Sequence, residues 1–104
     1  MEIKDIAENC EARFAVVEGQ EQVDKLLQIK DALPCLKKVI FWDYKGLAQY
    51  NEDILVGYRE ALKLGATYEN EHPGRFEQNV KSGNAEDICA IIYTAGTTEA
   101  APKR

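Results

Sequence analysis

Arg13-Phe14-Ala15-Val16-Val17-Glu18-Gly19 is short, apolar and rich in β-branched residues, and glycine ends it. A run of this kind reads as a strand buried on both faces, as in parallel sheets. The residues after it support that reading. From 20 to 33 the apolar positions Val23, Leu26, Leu27, Ile29 and Leu33 return at helical spacing. Pro34 stops the helix, because proline disfavours the α conformation in the residue before it. Lys37-Lys38-Val39-Ile40-Phe41-Trp42-Asp43 then reads as a second buried strand, entered through two lysines and left through Asp43. Strand, helix and strand in that order predict a right-handed crossover between parallel neighbours.

Working outward, Ile3, Ile6, Ala7 and Cys10 repeat at i, i+3, i+4 and i+7, which predicts a helix with one buried face. Residues 44–50 have no clear period and include Gly46, so they read as a loop. Asn51 is placed to cap a third helix, with Glu52 and Asp53 in its first turn and Ile54, Leu55, Tyr58, Ala61 and Leu62 as its stripe, weakening near Gly65. Pro73 and Gly83 frame a short fourth helix with Phe76 and Val80 inward. Glu86-Asp87-Ile88-Cys89-Ala90-Ile91-Ile92-Tyr93 is a last, strongly apolar strand, running into Thr94-Ala95-Gly96-Thr97-Thr98. The expected fold class is α/β: a three-layer type of architecture with a short parallel sheet of about three strands and crossover helices. Such sheets are normally wider and covered on both faces, and the helix that should follow the last strand is not in the sequence. Residues 1–104 are therefore expected to be a single partial domain.

The 104 residues carry a formal net charge of −5, with lysines and arginines scattered among acidic residues. That excludes the clustered basic face of a nucleic-acid binder. No apolar run approaches a membrane span and no signal-peptide pattern opens the chain, so a cytoplasmic protein is expected. Cys10, Cys35 and Cys89 are far apart in sequence and form no Cys-x-x-Cys pair, which predicts small buried hydrophobes in a reducing compartment. His72, the single histidine, precedes Pro73-Gly74 and reads as a loop residue facing water rather than a metal ligand.

The chemistry sits at the end of the last predicted strand. In an open α/β sheet, ligands bind beyond the carboxyl ends of the strands. Thr94, Thr97 and Thr98 supply hydroxyl donors there, and Gly96 lets the backbone approach an anion closely. Lys103 can reach outer phosphates. The composition suits a polar surface turn equally well. The segment is not a Walker A loop, which needs Gly-Lys-Ser/Thr opening a helix.

Ile91-Ile92-Tyr93-Thr94-Ala95-Gly96-Thr97-Thr98 with Pro102-Lys103 resembles the signature loop of the AMP-dependent synthetase and ligase family, Tyr-Thr-Ser-Gly-Thr-Thr-Gly-x-Pro-Lys-Gly. Cys10 through Glu18 and Gln20 through Leu27 look like the family's nucleotide-domain strand and helix. The stretch from Asp43-Tyr44-Lys45-Gly46-Leu47 through Phe76-Glu77 is most similar to the long-chain fatty acid–CoA ligase branch. The resemblance implies a fragment of the family's N-terminal domain that ends in the phosphate-binding loop. It also implies a parent that activates a fatty carboxylate with Mg-ATP as acyl-AMP, releasing pyrophosphate, and then transfers the acyl group to coenzyme A. By position, Thr94, Gly96, Thr97, Thr98 and Lys103 would hold the outgoing phosphates. No catalytic or metal-ligating residue is assigned.

Two positions depart from the family's pattern. Glu99 stands where the family has glycine, and one extra alanine, Ala100 or Ala101, separates the threonines from Pro102-Lys103. A carboxylate beside phosphates is repulsive, and the lost glycine removes a residue suited to φ > 0. The extra residue shifts Lys103 by about 3.3–3.6 Å of chain reach. The family's adenine and ribose motifs, its Mg-organising glutamate and its lysine-bearing C-terminal domain also lie outside these 104 residues. The isolated chain is therefore expected to be inactive, with no ATP, Mg2+ or coenzyme A bound. Its expected partners are the remainder of the parent enzyme and, through exposed apolar surface, copies of itself. The alternative is a small stand-alone α/β interaction or regulatory module without catalysis. A complete small nucleotide-binding protein is a third reading, which predicts ATP binding by the isolated chain.

Overall fold

The computed structural model describes residues 3–94. Helix α1 (Ile3–Asn9) leads into strand β1 (Phe14–Val17), and helix α2 (Gln20–Ile29) follows with a 3-10 turn at Lys30–Ala32. Strands β2 (Lys38–Phe41) and β3 (Leu55–Gly57) come next, then helices α3 (Tyr58–Glu71) and α4 (Arg75–Lys81). The three strands form one sheet in the order β1-β2-β3, parallel throughout. The register sets Val17 beside Phe41 and Phe41 beside Gly57, so the carboxyl ends of the strands are level.

Alternation along a strand sends successive side chains to opposite faces. Ala15, Val17, Val39, Phe41 and Leu55 share one face by register, and it is this face that packs on the core. Val23 and Leu26 of α2, both essentially inaccessible, join Val39, Phe41, Leu33, Leu36 and Leu47 in that core. The predicted strand–helix–strand unit is therefore present, close to its predicted bounds. α2 begins where the Gly19 N–H donates to Gln22 Oε1 at 3.2 Å, and it gives way to the 3-10 turn four residues short of Pro34.

The other face differs from the prediction. β1 was expected to be buried on both faces, yet Phe14 and Val16 are 54% and 63% exposed. β1 is an edge strand, and among the described residues no helix layer covers that face of it.

Further expectations are corrected. The helix predicted to start at Asn51 starts at Tyr58 instead, because Leu55–Gly57 pairs with β2 as a third strand. The Val39 N–H donates to the Ile54 carbonyl at 2.8 Å, and this pairing outweighs the local helical spacing. α3 then runs through Gly65 without interruption to Glu71. α4 forms between the predicted punctuation marks, with Gly74 as its cap, but Phe76 and Val80 point outward, 68% and 62% exposed. The strand predicted over 86–93 is absent: residues 88–94 have no regular structure, and Ile88, Ile91 and Ile92 are exposed. The sheet still has three strands, with β3 in place of that segment. All three cysteines are exposed rather than buried. His72 does face water, at the end of α3, stacked on Tyr68 with ring centroids 4.2 Å apart.

Candidate functional site at the carboxyl edge of the sheet

Where the three strands end, a polar cluster ties their following segments together. The N–H groups of Trp42 and Asp43 both donate to the Glu18 carbonyl, at 3.2 and 2.8 Å, lashing the end of β2 to the end of β1. Asp43 Oδ1 then accepts from the Lys45 N–H at 3.1 Å, fixing the turn that follows.

Tyr44 joins this turn to α3. Its hydroxyl donates to Glu60 Oε1 at 3.0 Å and accepts the Arg59 N–H at 3.0 Å. The Arg59 guanidinium lies 4.1 Å above the Tyr44 ring, and Phe41 meets that ring edge-on at 5.0 Å. A first-turn amide of α3, which has no partner within the helix, is thereby satisfied by a phenol oxygen. Glycine at 57 is required by this contact: a β-carbon there would collide with Tyr44 Oη and Glu60 Oε1.

A second link crosses from the 44–50 loop to α2. The Tyr50 hydroxyl donates to Asp24 Oδ1 at 2.7 Å and accepts from Gln20 Nε2 at 3.0 Å. Its bond to the Asp24 carboxylate holds the phenol's pKa above the ordinary tyrosine value. Gly46, at φ +79°, turns the loop in the left-handed region, and the Gln20 side chain fills the space a β-carbon would need.

The polar side chains of this edge are thus engaged with one another, an arrangement that fixes the turns rather than performing chemistry. Among the described residues no group of three or more His, Cys, Asp or Glu side chains could hold a metal. Of the predicted phosphate-binding residues, Thr94 is exposed and follows Tyr93, whose hydroxyl donates to Asn9 Oδ1 at the end of α1. Gly96, Thr97, Thr98 and Lys103 lie outside the described residues, as do Glu99, Ala100 and Ala101. The Tyr44–Arg59–Glu60 cluster was not foreseen. The signal for it was Gly57 directly ahead of Tyr58-Arg59-Glu60, a small residue at a helix start facing an aromatic loop.

The fold defines the class first: a parallel α/β unit whose strand ends and following turns make a polar rim, the place where such sheets receive ligands. The comparisons are narrower. Over 93 residues the chain is 37% identical to the long-chain-fatty-acid–CoA ligase ACSBG2 of Xenopus laevis. It is 33% identical over 100 residues to ACSBG2 of Gallus gallus, and 32% identical over 94 residues to the long-chain-fatty-acid–CoA ligase ACSBG1 of Bos taurus. Each match covers 89% of this chain and 12% of the relative. No protein-family model and no solved structure matches. The chain is homologous to a segment of long-chain-fatty-acid–CoA ligases, as the loop's resemblance implied, and spans about an eighth of their length. Among the described residues no helix is long and apolar enough to cross a membrane.

Proposed function

We propose that this chain is a scaffold segment of an ATP-dependent acyl-CoA synthetase and is inactive in isolation. In this reading residues 1–104 are part of the ligase's larger N-terminal domain, in the cytoplasm. The whole enzyme activates a fatty carboxylate as acyl-AMP, with Mg-ATP as the donor, and then passes the acyl group to coenzyme A. The observation that carries the reading is the run Tyr93-Thr94-Ala95-Gly96-Thr97-Thr98 with Pro102-Lys103, in a chain 89% of which aligns with long-chain-fatty-acid–CoA ligases.

The chemistry explains why those residue types matter. As the α-phosphorus is attacked, negative charge accumulates on departing pyrophosphate, and donors already in place stabilise it. Thr94, Thr97 and Thr98 would supply hydroxyl donors, Gly96 close backbone approach and Lys103 a countercharge. Glu99 works against them, because its carboxylate adds like charge to the same loop. Bringing carboxylate and nucleotide together supplies much of the rate in a two-substrate reaction, and that requires the rest of the enzyme. The apolar side chains left on the surface, Phe14, Val16, Ile88 and Ile92 among them, suit contact with that remainder or with a second copy.

Calorimetric titration of the isolated chain with Mg-ATP, with its mass measured by size exclusion, tests the isolated-chain part. No saturable binding, with association into dimers, is expected. Saturable ATP binding by a monomer would instead establish a small nucleotide-binding protein. A non-binding monomer with no tendency to associate would favour the interaction-module alternative.

A further inference from the structure

Cys10 and Cys89, 79 residues apart in the chain, line one shallow apolar pocket with Ile6, Ile88, Ile91 and Tyr93. Both are exposed. Cys10 continues the last turn of α1, its N–H donating to the Ile6 carbonyl at 3.1 Å and its thiol directed at the Ala7 carbonyl at 3.9 Å. Among the described residues the 88–93 segment forms no strand ladder, and the Tyr93 hydroxyl on Asn9 anchors it beside the helix end. The third cysteine, Cys35, lines a different pocket. Cys35 sits across α1 with Pro34 and Leu33, against Ala7, Glu8 and Glu11.

We propose that Cys10 and Cys89 form a reversible disulfide that fastens the 88–93 segment to the end of α1. The oxidant is a low-molecular-weight disulfide such as glutathione disulfide. One cysteine thiolate attacks it, the small disulfide's S–S bond breaks, and one glutathione leaves as thiolate, giving a mixed disulfide on the protein. The second cysteine thiolate then attacks the protein sulfur of that mixed disulfide and expels the second glutathione. Two protein thiols are oxidised by two electrons, one small disulfide is reduced to two thiols, and the two thiol protons pass to the leaving thiolates. The inference stands on the pocket and is independent of the phosphate-loop reading.

Chain statistics give a sharp contrast for the test. Cys35 lies 25 residues from Cys10, against 79 for Cys89. With loop closure falling as the 3/2 power of length, an unfolded chain favours Cys10–Cys35 by roughly five- to sixfold. The experiment oxidises the full chain with glutathione disulfide, quenches with iodoacetamide and quantifies linked peptides by mass spectrometry, in buffer and in concentrated urea. Cys10–Cys89 is expected to dominate in buffer, with the preference reversing to Cys10–Cys35 in urea. In the Cys10→Ser variant, Cys89 should stop at the mixed glutathione adduct. Predominant Cys10–Cys35, Cys35–Cys89 or intermolecular links in buffer would overturn the proposal. So would mixed adducts alone on the native chain.

Discussion

At Glu11 the backbone has φ +52°, the left-handed region. The surrounding bonds explain why: the Ala12 N–H reaches back to the Ala7 carbonyl at 3.0 Å and the Glu11 N–H to the Glu8 carbonyl at 3.2 Å. This pair is the Schellman closure of a helix, whose left-handed position usually belongs to glycine. A β-carbon there costs about 1–2 kcal/mol, while glycine gives back part of that through greater freedom in the unfolded chain. Glu11→Gly is therefore expected to stabilise the chain by up to about 1 kcal/mol in urea denaturation. At Tyr50 the consequence is one of pH. The Asp24 carboxylate raises the phenol's folded pKa, so the hydrogen bond's contribution is fully present below the ordinary tyrosine pKa of about 10 and is lost as pH rises through the higher folded value. Tyr50→Phe should remove that alkaline loss, seen as a flatter stability profile above about pH 10.

Among the elements, α3 and β3 show what sequence reasoning can and cannot reach. Ile54, Leu55, Tyr58, Ala61 and Leu62 are spaced as a helix stripe, and Asn51 offers a cap, so a helix from 51 was the local optimum. A strand of three residues has too little sequence of its own to announce itself, and only its partner β2 makes it one. The opposite failure occurred over 86–93, where β-branched residues announced a strand that has no partner among the described residues. Strand preference is largely a statement about neighbours, whereas the 20–29 helix and the strands beside it carry their burial pattern in their own residues. Most of the punctuation was legible: Gly19, Pro34 and Gly83 mark ends that the structure keeps to within a few residues, while Pro73 precedes α4 by two residues instead of opening it. Gly65 is the other exception, since a β-carbon there would meet nothing within 4 Å. Gly65→Ala is expected to stabilise α3 by about 0.5–1 kcal/mol, measured as a higher denaturation midpoint. Gly57→Ala should do the reverse, driving Tyr44 from Glu60 and loosening the start of α3. Amide exchange at Arg59 would report it, and unchanged protection there would show that the Tyr44 contact does not hold the helix.

For the whole molecule, stability rests on one sheet face and a handful of side chains. Leu26 is 2% exposed and central to the cluster of Val23, Val39 and Phe41. Leu26→Ala removes buried methyl groups and leaves a cavity, costing about 2–5 kcal/mol. Small domains have total stabilities of only about 5–15 kcal/mol, so a markedly lower unfolding midpoint is the expected calorimetric result. The exposed apolar side chains on the other sheet face and over 88–92 fit a chain homologous to only about an eighth of each relative. The Thr/Gly loop was legible only as a motif, since a Thr/Gly run after apolar residues can be read from residue types alone. The rim of Tyr44, Arg59 and Glu60 was not legible, because those contacts depend on the placement of β3. The most direct measurement places this chain in the Xenopus laevis ligase in exchange for the segment it matches, and follows fatty-acid-dependent pyrophosphate release. The account predicts measurable release, about 10-fold or more higher with Glu99→Gly and about 100-fold lower with Thr97→Val, the scale set by one donor to a developing charge. A folded chimera that releases pyrophosphate at the same rate with and without both substitutions would contradict it.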